Sequence, residues 1–514
     1  MLAAAALASA CAGGALAAPG LLIGVSDDHL KTDPQAGPAV RDLGLGAVRL
    51  TLDWRPGQST LGNGDVVSIQ KALSAGTGAR IVVLLYPDEP WDVPKTPEAR
   101  DQFCSTARSI LATFSQINDI VIGNEPNKST FWRPQFNADG SSAAPAAYAA
   151  LLARCYAVLH AFRPGVNVIH AGLSSTGNDR PDASSNISHS PGNFIREEGK
   201  ALKAGLAARA PAGSAGPLFD TFALHPYGES STEPVWRQHD RSSTIGVADW
   251  KKLMQALWDA FQGTSQPIPG EGVGIWYLEI GFQTAIDPSK VGKYHGSENT
   301  ETVSPIGYYR PPARASGGVP DQATQLAEAI RMAYCQPYVE AVFNFLLRDE
   351  IDLGGWQSAP IWVDWTPKGS YPALQAVIRE VRSGGVSCGS VLGGPYAFQP
   401  KTGVDVERVV WSKARTFNWK NDLWRFRIQT GENASYVATL YRLAGSAARS
   451  AAGRSPVLTA SGELRKLYFS WIAFQKRRLA PGRYAIEVVL TSTESTTRST
   501  RLSGPAFTVQ PKRV

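Results

Sequence analysis

Over the first three quarters of the chain, short apolar runs alternate with longer stretches whose apolar positions recur every three or four residues. The short runs read as buried strands and the longer ones as amphipathic helices. The strand-like runs are Leu21 to Val25, Ala47 to Leu52, Arg80 to Tyr86, Asp119 to Ile122, Asn167 to Leu173, Phe219 to Leu224, Gly274 to Phe282 and Glu340 to Leu347. Helical patterns fall at Val66 to Ala75, Pro97 to Gln116, Pro145 to Phe162, Phe194 to Arg209, Trp250 to Phe261, Asp321 to Tyr334 and Pro372 to Arg382. Such alternation predicts an α/β fold with a parallel sheet. Eight units predict closure into a (β/α)₈ barrel, where active residues stand at the C-terminal strand ends. The competing open, doubly wound sheet usually has a Gly-rich phosphate loop after its first strand, and none is present.

Polar groups cluster just past these runs: Asp53, Glu125, His225, Glu279 and Asp349. Two long stretches leave the same ends, Ser174 to Pro191 and Ala285 to Pro320, and loops of that length often serve as walls or lids. Near residues 385–396 the pattern changes to Gly, Ser and Pro. Beyond it, period-two alternation appears at Leu423 to Ile428, Tyr436 to Leu443, Leu467 to Phe474, Arg483 to Leu490 and Ala506 to Val509. Several short strands over that span predict an all-β sandwich. The stretch Leu479 to Tyr484 resembles immunoglobulin-like or fibronectin-like modules. The expected organisation is a signal peptide over 1–17, a catalytic barrel over 18–386 and a β-sandwich over 387–514.

Composition changes this picture in three places. From residue 390 onward there are 20 Lys and Arg against 7 Asp and Glu, although the whole chain has a net charge of only +7. A basic module suits contact with acidic cell-envelope material; no nucleic-acid motif accompanies it. The first twenty residues are small and apolar, and Ala15-Leu16-Ala17 is an A-x-A cleavage site, so the mature protein is expected outside the cytoplasm. Lipoprotein processing at Cys11 is the alternative. No other stretch reads as long and apolar enough to span a bilayer. Four further cysteines, an even count in an exported chain, predict disulfides, with Cys104 to Cys155 and Cys335 to Cys388 as the expected pairs. None lies at metal-ligand spacing, and no metal or cofactor is expected.

The run at residue 119 ends in Ile122-Gly123-Asn124-Glu125-Pro126, and the run at residue 274 includes Trp276-Tyr277-Leu278-Glu279-Ile280-Gly281. A glutamate fixed at each of two strand ends is the minimum equipment for retaining glycoside hydrolysis. These segments resemble the fourth-strand and seventh-strand motifs of the clan A retaining glycoside hydrolases, (β/α)₈ barrels that include cellulase-like, family 5-like and family 39-like enzymes. The resemblance covers residues 20 to about 385. It implies that Glu125 is the acid/base, that Glu279 is the nucleophile and that Asn124 holds the sugar 2-hydroxyl. It also implies that Arg49 braces the nucleophile and that His225 and Tyr227 form the sixth-strand pair. Two features depart from the clan: the third strand ends Leu85-Tyr86-Pro87 without a histidine, and the eighth reads Phe343-Asn344-Phe345 without a tryptophan floor. Trp356 or Trp362 is the expected substitute, and Trp54, Trp91, Trp132 and Trp356 are candidate sugar platforms. The implied function is retaining β-glycosidase action on a poly- or oligosaccharide. The alternatives are transglycosylation at the same site and a non-catalytic carbohydrate-binding or envelope protein.

Overall fold

The structure, a computed structural model, describes residues 20–205, 216–297, 303–307, 318–392, 396–411, 416–417, 425–465, 468–493 and 498–509, apart from 444–453 and 475–478. The expected signal peptide lies outside the described residues. The chain divides into two compact units that meet in sequence at Phe398 and Gln399.

In the first unit the strands are β1 (Leu22–Ser26), β2 (Ala47–Trp54), β3 (Arg80–Pro87), β4 (Asp119–Ile122), β5 (Asn167–His170), β6 (Leu173–Ser174), β7 (Thr221–His225), β8 (Gly274–Ile280) and β9 (Val339–Phe345). All pair in parallel, from β5 through β4, β3, β2, β1, β9 and β8 to β7, and β5 meets β7 at Ile169 and Thr221. The sheet is therefore a closed barrel of eight strands, the fifth of which is broken into β5 and β6. A Cβ on Gly172 would lie 2.0 Å from Nε2 of His225, so the gap between the two pieces gives that ring its place.

The barrel interior holds Val82, Leu84, Val121, Ile169, Trp276, Leu278 and Phe343, contributed by alternate positions along the strands. Gly24 makes room for Phe343, whose ring would stand 2.7 Å from an added Cβ. The opposite strand faces bury Leu50, Leu52, Ile120, Ile122, Phe222 and Ile275 under the helices. These are α1 (Ala36–Leu43), α2 (Asn63–Ser74), α3 (Pro97–Thr113), α4 (Ala144–Phe162), α5 (Pro191–Lys203), α6 (Trp250–Phe261), α7 (Gln322–Cys335), α8 (Ser370–Arg382) and the short α9 (Cys388–Leu392). Thr96 caps α3 and is followed by Pro97; Asp321 caps α7 by accepting from Thr324 N at 2.8 Å.

Disulfides join Cys104 to Cys155 and Cys335 to Cys388, the expected pairs. The second bridge, with Tyr396 against Trp250, holds the segment after α8 on the barrel, within the first unit, which runs to Phe398. One expectation is corrected here. Among the described residues, α4 is long and apolar enough to cross a membrane by length and composition. In the fold it is bridged to α3 and buries Tyr148, Leu151, Leu152 and Leu159.

The second unit contains two sheets. One is β10 (Val406–Val410), β12 (Arg425–Thr430) and β15 (Ser470–Ala473), antiparallel throughout. The other runs β11 (Thr416–Phe417), β18 (Phe507–Val509), β16 (Gly482–Ser492), β13 (Ala434–Leu443) and β14 (Arg454–Leu464), with β17 (Ser499–Ser503) on β16. Phe426, Ile428 and Ile472 of the first sheet share a core with Leu440, Ile486 and Val488 of the second, which makes the unit a β-sandwich.

Candidate active site

Glu125 follows the fully buried strand β4. The chain leaves that strand through Gly123, at φ +86, and Glu125 itself sits at φ +35. A side chain seldom adopts such a conformation unless its surroundings impose it. Here three backbone bonds do so: Gly123 N donates to Leu85 O, Glu125 N to Gly172 O and Lys128 N to Glu125 O. The broken fifth strand thus supplies both an acceptor for Glu125 and the space for His225.

Glu279, on β8, is nearly buried. A carboxylate oxygen of Glu125, one of Glu279 and a ring nitrogen of His225 all lie within 4.8 Å of one another. Nδ1 of the buried His225 is 2.9 Å from Oε1 of Glu125 and 3.5 Å from Oε2 of Glu279, so one imidazole edge spans both carboxyls. Nη2 of Arg49, from β2, donates to Oε1 of Glu279 at 2.5 Å, and the Tyr227 hydroxyl donates to Oε2 at 3.2 Å. Burial alone would push the Glu279 carboxyl up. The charges of His225 and Arg49, with the hydrogen bonds from Arg49 and Tyr227, outweigh it and hold the group below the usual carboxylate range. The Tyr227 phenol is pushed well above its ordinary value by burial and by the two carboxylates, which keeps it a donor.

These groups open on a cleft of about 780 Å³ at the C-terminal strand ends. Asn124 lines it, and its Oδ1 has no hydrogen-bond partner among the described residues. Trp356 also lines it, against Tyr227 at 5.3 Å and edge-on to Phe345 at 5.6 Å. An aromatic wall therefore stands beside the eighth strand of the barrel, built from a loop residue rather than a strand-end tryptophan.

Other sequence-named residues lie elsewhere. Trp54 is a correction: it is fully buried beneath the barrel wall, packed on Phe103, with Nε1 donating to Gln58 O. Its position at the end of β2 points it outward, the opposite phase from Arg49. Trp132 is core against Tyr148, whereas Trp91 is exposed and outside the cleft. Trp362 lies under the Lys368 ammonium at 4.5 Å, and Asp349 pairs with that same lysine in the interior. Asp53 is exposed beside Tyr86 and does not line the cleft.

The structure adds cleft residues that the sequence reading passed over. At the end of β1, buried Asp27 binds Nδ1 of His29 at 2.7 Å, and both line the cleft with Lys31, Tyr86 and Phe131. The run Asp27-Asp28-His29 directly after the first apolar strand was the available signal. By spacing, two clusters among the described residues could hold a cation: Glu125 with His225 and Glu279, and Glu229 with Glu233 and His239. In the second, His239 lies between Glu233 at 2.9 Å and Asp249 at 2.6 Å.

No family model and no curated protein matches the chain. Among solved structures it is similar to a family 39 glycoside hydrolase from Bacteroides cellulosilyticus WH2, at 13% identity and a TM-score of 0.47, over 90% of this chain and 82% of that one. It is also similar to the virulence factor SghA from Agrobacterium tumefaciens, at 14% identity and 0.42, over 70% and 96%. A third is the exo-beta-1,4-mannosidase Op5Man5 from Opitutaceae bacterium strain TAV5, at 14% and 0.41, over 71% and 60%.

Proposed function

We propose that the chain is an exported retaining β-glycosidase acting on an oligo- or polysaccharide. The observation that supports it is the separation of Glu125 and Glu279. One carboxyl oxygen of each lies within 4.8 Å of the other, closer than a pair that must also hold a water between the base carboxylate and the anomeric carbon. Retaining enzymes hold the pair about 5–5.5 Å apart, whereas inverting ones need about 6.5–9.5 Å.

The roles follow from the surroundings. Glu279, kept ionised by Arg49, attacks the anomeric carbon while the glycosidic C–O bond breaks. Glu125 gives its proton to the departing oxygen. The glycosyl–Glu279 ester then forms the second substrate: Glu125 takes a proton from water, the water oxygen bonds to the anomeric carbon, and Glu279 leaves as carboxylate. Nδ1 of His225 lies 2.9 Å from Oε1 of Glu125, and the imidazole, protonated there, supports the Glu125 anion left after the first proton transfer, until Glu125 takes its proton from water. Asn124 is placed to accept from the sugar 2-hydroxyl, and Trp356 to stack on the ring. The two disulfides agree with an oxidising compartment.

Variants test the assignment. Glu279→Ala removes turnover of every substrate. Glu125→Ala spares aryl glycosides with good leaving groups more than natural glycosides, and added azide restores turnover as the β-glycosyl azide. Wild-type rates in both variants would refute the reading.

A further inference from the structure

The two loops that carry Asn124, Glu125 and Thr176 into the cleft continue outward and enclose a second hollow of about 450 Å³. Its apolar surfaces are the Phe136 ring and the rings of Pro134 and Pro181; polar groups come from Arg133, Asn137 and Asn186. The hollow is rigidly backed. Phe136 stacks on His189 at 4.1 Å, and His189 is fixed through both nitrogens, to Gln135 Oε1 at 2.9 Å and to Ser142 Oγ at 3.0 Å. The loops are tied to each other by Ser129 N donating to Ile187 O and by the bridge between Lys128 and Ser188.

Flat carbon-bound faces ringed by amides and a guanidinium suit a pyranose, whose C–H face is apolar and whose rim is hydroxyl. The hollow lies on the loops beside Glu125, the residue that faces the leaving group, and not on those beside Glu279. We propose that it is a remote sugar site, which holds a unit of the leaving-group portion of a glycan several residues beyond the scissile bond. This rests on the glycosidase reading, and it means that the substrate is a glycan extended on its leaving-group side.

Binding, measured apart from turnover, tests it. Ser185 lines the hollow and is exposed, so Ser185→Trp fills the space. Calorimetry is run on Glu279→Gln protein, with and without Ser185→Trp, against p-nitrophenyl β-glycosides and the matching β-linked hexasaccharides. The expected result is that Ser185→Trp weakens the hexasaccharide about tenfold or more, and leaves the aryl glycoside unchanged, with an unaltered melting temperature. If Ser185→Trp does not fold, Arg133→Ala replaces it, with the same expectation in smaller degree. Equal affinities for the hexasaccharide, equal losses for both ligands, or no hexasaccharide binding would overturn the site. Absence of turnover in the wild type would instead refute the glycosidase reading.

Discussion

Nη2 of Arg49 stands 2.5 Å from Oε1 of Glu279, and both side chains are almost wholly buried, so the second strand of the barrel is tied to the seventh by one ion pair at the mouth of the cleft. Breaking such a pair from one side leaves an uncompensated charge, at a cost of about 3–5 kcal/mol. Arg49→Met is therefore expected to destabilise the protein by that order and to lower kcat by at least about a hundredfold, the scale of losing one preorganised electrostatic partner. Denaturant titration and steady-state kinetics check it.

The same pair fixes a pH dependence. The folded carboxyl of Glu279 lies below its usual value, and the unfolded value is about 4.3. Its contribution to stability is present above that unfolded value and is lost as pH falls through the folded one. The proposed mechanism needs the carboxylate, so the acid limb of kcat/KM should follow the same group downward. In Arg49→Met, that limb moves to higher pH. A limb unmoved by the substitution would detach Arg49 from the proposed role of Glu279.

Gly172 governs the other side of the site. Because an added Cβ would meet the His225 ring at 2.0 Å, Gly172→Ala forces the imidazole away from Glu125 and Glu279. Overpacking of this kind costs about 1–3 kcal/mol. The loss of activity should exceed what the lost stability explains, with native folding retained at low temperature. Gly64→Ala, in α2 with no atom near its Cβ position, is the control: it leaves activity unchanged and does not lower stability.

Lys368 is buried and donates to Asp349 at 2.8 Å, to Gln357 O at 2.9 Å and to Thr284 Oγ1 at 3.0 Å. It ties together the loops that follow β8 and β9. Lys368→Met should destabilise by about 3–5 kcal/mol, because Asp349 stays buried without its cation. Adding Asp349→Leu should recover part of that loss. Additive losses in the double variant would contradict the pairing.

Each disulfide spans more than fifty residues of chain, 51 for Cys104 to Cys155 and 53 for Cys335 to Cys388. Replacing either pair by serine should lower stability by about 2–5 kcal/mol. Unfolding followed with and without reductant checks this, and reductant should not affect the variant lacking both bridges.

Much of the barrel was legible because buried parallel strands are nearly continuous apolar runs, and because Trp250–Phe261 keeps a strict helical period. Helix α1 was missed: Ala36–Leu43 is short and contains Gly37 and Pro38, which read as turn residues. The split of the fifth strand was invisible, and the ring that occupies the place of a Cβ on Gly172 is 53 positions away along the chain. In the second unit, β13 and β16 show clean alternation, whereas the exposed positions along β14 hide its pairing with β13. In the site, the two glutamates and His225 could be picked out because they stand at the ends of strong strand patterns, whereas Arg49 and Tyr227 were named only through the motif resemblance. Trp54 misled because a strand places successive side chains on opposite faces, and a shift of one position separates cleft from core.

The most direct test of the account is the anomeric form of the first product, followed by proton NMR in the opening minutes of hydrolysis of a β-glycoside. Glu125 and Glu279, with oxygens within 4.8 Å, predict that the β-anomer appears first and the α-anomer only by mutarotation. Initial release of the α-anomer would contradict it.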